Sequence, residues 1–143
     1  MKISIINGPN LNLLGRRERK IYGDMTFESF FQKLKAEFSD IDLEYFQSNV
    51  EGELVSFVQQ AGKSSDGIIL NAAGYTHTSV VLADAVGSID TPVIEVHISN
   101  ILAREKYRHT SLIAPWCRGS LFGFGLNGYI LALHAFVNRF VTK

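Results

Sequence analysis

The chain has 143 residues, 46% of them hydrophobic, with fourteen basic against fourteen acidic side chains. That length fits one domain, expected to span 1–143, with enough apolar content to fill a core without disulfide staples. Zero formal charge speaks against a protein whose task is to grip nucleic acid or an anionic membrane, no apolar run reaches transmembrane length, and the lone Cys117 reads as cytoplasmic.

Lys2 to Asn7 reads as a first strand, its apolar run too short for a signal peptide before the polar Asn7-Gly8-Pro9-Asn10. The charged segment Leu11 to Met25 follows, with Gly15 and Gly23 as hinges; its length and polarity mark a loop that either covers a site or is mobile. Thr26 caps a first helix, with Glu28 in its opening turn and Phe27, Phe30, Phe31, Leu34 and Phe38 at helical spacing. Ile41, Leu43 and Tyr45 alternate with Asp42 and Glu44 as an edge strand does. Ser48 with Glu51 forms a capping box that opens a second helix, whose stripe is Leu54, Val58 and Ala61.

Gly67 to Asn71 and Pro92 to His97 are apolar runs of the kind found in central parallel strands covered on both faces, and a helix from Ser79 to Val86 links them. Ile101 to Tyr107 reads as a short helical stretch and Ser120 to Gly123 as a short fifth strand. Tyr129, Ile130, Leu133, Phe136, Val137 and Phe140 trace one face of a closing helix. Five such units predict an α/β fold, a flavodoxin-like three-layer sandwich around a five-stranded parallel sheet of order 2-1-3-4-5, with its switch point between strands one and three.

Three strands end in polar residues: Asn7-Gly8-Pro9-Asn10, Asn71-Ala72-Ala73-Gly74-Tyr75-Thr76-His77-Thr78-Ser79 and His97-Ile98-Ser99-Asn100. Ligands of open parallel sheets bind at the carboxyl ends of the strands, so these endings predict one converging pocket. Glu95 and His97 fall on one face of their strand, where a carboxylate can orient an imidazole for proton transfer; the strand-end position favours this over a merely satisfied core histidine. Ile98-Ser99-Asn100 offers backbone amides and a hydroxyl to a carboxylate, while Ser99 or Asn100 can equally cap the turn that follows. The hydroxyls, amide and imidazole between Asn71 and Ser79 suit a polyhydroxylated ligand. Asp84, on the following helix, reads equally as a surface acid.

Arg16-Arg17-Glu18-Arg19-Lys20-Ile21-Tyr22 is a basic run closed by a tyrosine. It is a weak nucleic-acid signal and an acceptable solvated loop; in a third reading a guanidinium favours the Tyr22 phenolate, whose ordinary pKa of about 10 must fall by some three units for it to act as a base near neutrality. Gly123-Phe124-Gly125-Leu126-Asn127-Gly128 matches the dinucleotide pattern, yet the chain finishes before a strand could supply the acidic residue that pattern needs. Close packing of the closing helix against the sheet or a neighbouring subunit explains the glycines better. The four histidines show no helical ligand pair and Cys117 has no partner thiol, so no metal is expected, and without a nucleophile elbow Ser79 and Ser99 are poor nucleophiles; with the dinucleotide pattern incomplete, no cofactor is expected either.

Asn7 to Arg17, Tyr22-Gly23, Glu51-Gly52-Glu53-Leu54, Gly74 to Ser79 and Glu95 to Asn100 together, in order and nearly end to end, resemble type II 3-dehydroquinate dehydratase. The resemblance implies a single catalytic domain that reversibly dehydrates 3-dehydroquinate to 3-dehydroshikimate on the shikimate route, by anti elimination through an enolate, without metal or Schiff base. It assigns Tyr22 as the base at C2, Arg17 as support for its phenolate, and His97, oriented by Glu95, as the acid at the C1 hydroxyl. Asn10 would hold a water against the enolate oxygen. Asn71, His77 and Arg108 would bind substrate hydroxyls, the Ile98 and Ser99 amides its carboxylate, and Asp84 would reach in from an adjoining subunit of a dodecamer built from trimers. Many members carry proline where Ala72 stands, histidine where Leu102 stands, and smaller residues than Trp116 and Cys117. A non-catalytic flavodoxin-like module for a flavin or a phosphorylated ligand is the competing class; strands ending on Asn7 and Asn71 lack a phosphoacceptor aspartate, and no long loop rich in serine and threonine follows strand one to receive a flavin.

Overall fold

A computed structural model describes residues 1–16 and 24–141 of the chain. Five strands, β1 (Lys2–Asn7), β2 (Asp42–Gln47), β3 (Gly67–Asn71), β4 (Val93–His97) and β5 (Gly119–Phe122), form one parallel sheet in the order β2-β1-β3-β4-β5. Four helices, α1 (Phe27–Glu37), α2 (Glu51–Ser64), α3 (Val80–Gly87) and α4 (Asn127–Val137), cover its faces. The predicted sheet order and the place of β2 at an edge are both borne out.

Strand alternation divides the core in two. Ile3, Ile5, Ile69, Ile94 and Val96 pack against Phe27, Phe30 and Leu34 of α1 and Tyr129, Leu133 and Phe136 of α4. On the other face Ile6, Ile68, Leu70 and Val93 meet Leu54, Val58 and Ala61 of α2 and Leu82, Ala83 and Val86 of α3. Because β1, β3 and β4 are buried on both faces, their apolar runs show little alternation.

Local chemistry sets most element ends. Thr26 caps α1 by accepting the Ser29 amide at 3.2 Å, and Ser79 caps α3 through the Leu82 amide at 3.0 Å. The capping box at Ser48 and Glu51 does not form. The Ser48 amide continues the sheet ladder to the Asn7 carbonyl, so α2 starts later, with Val50 at its N-cap; the Ser48 hydroxyl accepts the Val50 amide and reaches Glu53 instead. The stretch from Ile101 to Tyr107 is also not one helix but two 3-10 turns, Ile101–Ala103 and Lys106–Arg108, parted by extended backbone at Arg104. Phe140 lies beyond the end of α4 and is exposed rather than on its buried face. Leu11 to Met25 does not begin as a polar loop: Leu11–Leu13 form a 3-10 turn, and Leu11 and Leu14 are buried in the core. Its Arg17, Tyr22 and Gly23 lie outside the described residues.

Within the Gly123 to Gly128 run, Gly128 packs the closing helix on the sheet, while the other two glycines serve the turn before it. Gly123 and Gly125 adopt positive φ, and a Cβ on Gly128 would sit 3.1 Å from Val96. Trp116 lies over Gly87 at the end of α3, where a Cβ would come within 2.9 Å of the indole, so the bulk of Trp116 is matched by a missing side chain beneath it.

One close approach fixes the floor of the strand-end region. The Gly8 amide donates to the Asn71 carbonyl at 2.8 Å, and a Cβ at Gly8 would lie 2.6 Å from the Ala72 carbonyl oxygen, which is backbone and cannot rotate away. Gly8→Ala should therefore cost about 1–3 kcal/mol of stability, read as a lower urea midpoint; an unchanged midpoint would mean that β1 and β3 do not meet so closely.

Candidate active site

The register sets Asn7 beside Asn71, and β4 ends nearby on His97. Above these ends lies a cavity of about 260 Å³, lined by Pro9, Asn10, Leu11, Leu13 and Leu14 after β1, Asn71, Ala73, Gly74 and His77 after β3, and His97, Ile98, Ser99, Ile101, Arg104 and Arg108 after β4. The predicted crevice is thus formed, and of the predicted site residues Asn10, Asn71, His77, His97, Ile98, Ser99 and Arg108 converge on it. No acidic side chain is among these lining residues. Two guanidiniums are, which suits an anionic ligand.

Glu95 lies beneath the cavity, 2% exposed. Its Oε1 accepts His97 Nε2 at 2.8 Å and the Ser111 hydroxyl at 2.7 Å, and its Oε2 accepts the Ser120 hydroxyl at 2.7 Å. Burial pushes this carboxyl up, but the bonds and charge of His97 and the two serines outweigh it and hold the group below its ordinary value. An ionised Glu95 accepts the Nε2–H of His97 and leaves Nδ1 as the ring nitrogen available to a ligand. The two side chains paired from the sequence are thus in direct contact.

His77 is held from the other side. Its Nδ1 bonds the Thr110 carbonyl at 2.7 Å, which leaves Nε2 for a ligand, and its ring stacks 6.2 Å from that of His97. Arg108 is steadied through Nε by Glu105 at 2.7 Å. At the start of the Ile101–Ala103 turn the capping role falls to Asn100, whose Oδ1 accepts the Leu102 amide. Ser99 is thereby freed from capping, and its hydroxyl accepts a long bond from Arg104 at 3.4 Å.

The floor is a buried polar clamp. Tyr129 of α4 accepts Asn71 Nδ2 at 2.9 Å and donates to Asn7 Oδ1 at 2.8 Å, while Asn71 Oδ1 takes the Ala73 amide. Asn71 thus spends part of its hydrogen-bonding capacity on the fold and keeps one Nδ2 hydrogen. Ala73 and Asn10, both lining the cavity, adopt positive φ without being glycine, backbone strain of the kind that gathers at functional sites. Burial pushes the Tyr129 phenol well up and that of Tyr45 up to about 12, so neither can supply a phenolate base.

Arg104, Ser111, Ser120 and Tyr129 were not singled out from the sequence as site residues. Two proposed catalytic residues, Arg17 and Tyr22, lie outside the described residues. Asp84 is exposed on α3 and does not line the cavity of its own chain.

The model of the family described as dehydroquinase class II matches residues 1–137. The chain belongs to the class II dehydroquinases. A 3-dehydroquinate dehydratase from Campylobacter jejuni is 53% identical over 135 residues, covering 93% of this chain and 85% of that protein. Type II dehydroquinase structures from Butyrivibrio crossotus (TM-score 0.89, 43% identity, covering 94% of this chain and 95% of that one) and Propionibacterium acnes (TM-score 0.92, 37% identity, covering 96% of each) share the fold. This dehydroquinase accordingly has the family's α/β architecture along nearly its whole length.

The lowered Glu95 has a consequence for acid stability. Its contribution is fully present above the ordinary carboxylate value of 4.5 and is lost as pH falls through the depressed folded value. Below pH 4.5 the unfolding midpoint of the wild type should thus fall more steeply than that of Glu95→Gln; parallel curves would show that Glu95 is not held ionised by the fold.

Proposed function

We propose that the chain is a hydro-lyase acting as a single catalytic domain, which converts 3-dehydroquinate reversibly to 3-dehydroshikimate in the shikimate pathway of aromatic amino-acid biosynthesis. The observation that carries this reading is the buried Glu95–His97 pair at the end of β4, opening into a cavity lined by Arg104, Arg108, His77 and Asn71. The substrate is a small carboxylate bearing several hydroxyls, which matches a cavity whose described lining residues offer cationic and amide donors and no carboxylate.

In this mechanism the Tyr22 phenolate takes the C2 proton, and the electron pair left behind forms an enolate with the C3 carbonyl. Asn10 holds a water against the enolate oxygen, and Arg17 favours the phenolate. The enolate then collapses: the C1–C2 double bond forms, the C1–O bond breaks, and the departing hydroxyl leaves as water with a proton from Nδ1 of the His97 imidazolium. Glu95 steadies that cation from the Nε2 side. Asn71, His77 and Arg108 bind ring hydroxyls, and the Ile98 and Ser99 amides take the carboxylate.

The described ends of the segment that carries Tyr22 come together beside this site. A Cβ at Gly15 would lie 2.7 Å from the Asp24 carbonyl oxygen, so the chain leaves and returns at one place, next to Leu13 and Leu14 of the cavity wall. Asp84, on the outer face of α3, would enter a neighbour's cavity, in keeping with a homo-oligomer that we take to be a dodecamer of trimers. No cofactor enters the scheme. We place the enzyme in the cytoplasm; no helix among the described residues is long and apolar enough to cross a membrane.

Purified protein given 3-dehydroquinate should generate the ultraviolet absorbance of a conjugated enone, and Tyr22→Phe and His97→Ala should each lower kcat by about 10²–10⁴ with the fold intact by circular dichroism. Near-normal turnover in either variant would remove that residue from the chemistry.

A further inference from the structure

The Glu95 carboxylate is almost fully buried, and a charge in that position persists only while donors hold it. His97 supplies one donor, but Ser111 and Ser120 supply two more, one to each carboxylate oxygen. Ser120 sits on β5 directly across from Glu95 in the sheet register, so the two side chains share a face of the sheet. The Ser111 hydroxyl already accepts the Ile113 amide at 3.2 Å and the Ala114 amide at 3.0 Å. An amide can only donate, so the one hydroxyl proton of Ser111 is left for Glu95 Oε1.

We propose that Ser111 and Ser120 are positioning residues of the elimination: by engaging both oxygens of Glu95 as acceptors they fix the carboxylate plane, and through it the ring orientation and Nε2–H tautomer of His97. The inference rests on the roles given above to Glu95 and His97 and adds the groups that make the pair rigid. Ser111 extends the effect across the site. Its neighbour Thr110 holds His77 through a carbonyl, and Leu112 pairs with the Thr76 carbonyl. One short stretch after Arg108 thus sets both imidazoles that face the cavity.

Ser120 gives the cleaner test, since the Ser111 hydroxyl also holds two backbone amides. Steady-state dehydration of 3-dehydroquinate would be measured for Ser120→Ala, Ser120→Thr, Glu95→Gln and the double variant Ser120→Ala/Glu95→Gln. Losing a hydrogen bond to a charged group should lower kcat of Ser120→Ala about tenfold while KM changes little, and Ser120→Thr, which keeps the hydroxyl, should recover most of the rate. In the Glu95→Gln background Ser120→Ala should cost nothing further, because its target charge is gone. Losses that multiply in the double variant would mark a merely structural role and overturn the proposal. So would wild-type turnover in Ser120→Ala beside an impaired Glu95→Gln, which refutes the serine role alone; wild-type turnover in Glu95→Gln refutes the Glu95 reading on which it rests.

Discussion

An ionised carboxylate buried at the carboxyl end of a central strand is the constraint around which this site is built. Removing a charge from water costs several kcal/mol unless the protein replaces the lost solvent, and Glu95 recovers that cost through His97, Ser111 and Ser120. The replacement is directional where water is not. Each donor comes from a different element, so the carboxylate cannot turn without breaking bonds to β5 or to the segment after the Lys106–Arg108 turn. A rigid acceptor in turn makes His97 a rigid donor, with one ring nitrogen committed below and the other open above.

The sheet makes that arrangement possible by bringing several strand ends together. In a parallel sheet every strand delivers its carboxyl end to the same edge, and the β1 to β3 register sets Asn7 beside Asn71 there. Strand alternation then divides the labour between the two faces. Asn7 and Asn71 turn toward α4 and are tied by Tyr129, giving the cavity a fixed floor. Glu95 and His97 turn the other way, toward the segments that carry Ser111 and His77. The same close strand contact leaves no room for a side chain at Gly8.

Local patterns in the chain were the legible part of this structure. Apolar runs marked the central strands, helical spacing marked α1 and α2, and Glu95 with His97 could be paired because residues two apart on a strand share a face. Partners distant in sequence left no such trace. Ser111 and Ser120 lie 16 and 25 positions from Glu95, and Tyr129 lies 122 from Asn7; each looks like an ordinary turn, strand or core residue until the chain is folded. Tyr129 was read as core because its ring is, while its hydroxyl serves the site. Arg104 falls in a stretch whose pattern reads as a helix, whereas its backbone is extended and its side chain lines the cavity. Ser48 misled because capping residues are recognised by spacing, whereas its amide was already bound into the sheet.

We propose that the Nδ1 of His97, aimed by Glu95, and the phenol of Tyr22 bracket one bound ring from opposite faces. A crystal structure with 3-dehydroshikimate or an unreactive quinate analogue in the cavity tests it most directly. The account predicts His97 Nδ1 within hydrogen-bonding distance of the C1 oxygen or the water that replaces it, and Tyr22 Oη over C2 on the other face. A ring bound with both groups on the same face, or with His97 turned away and Glu95 unpaired, would contradict it.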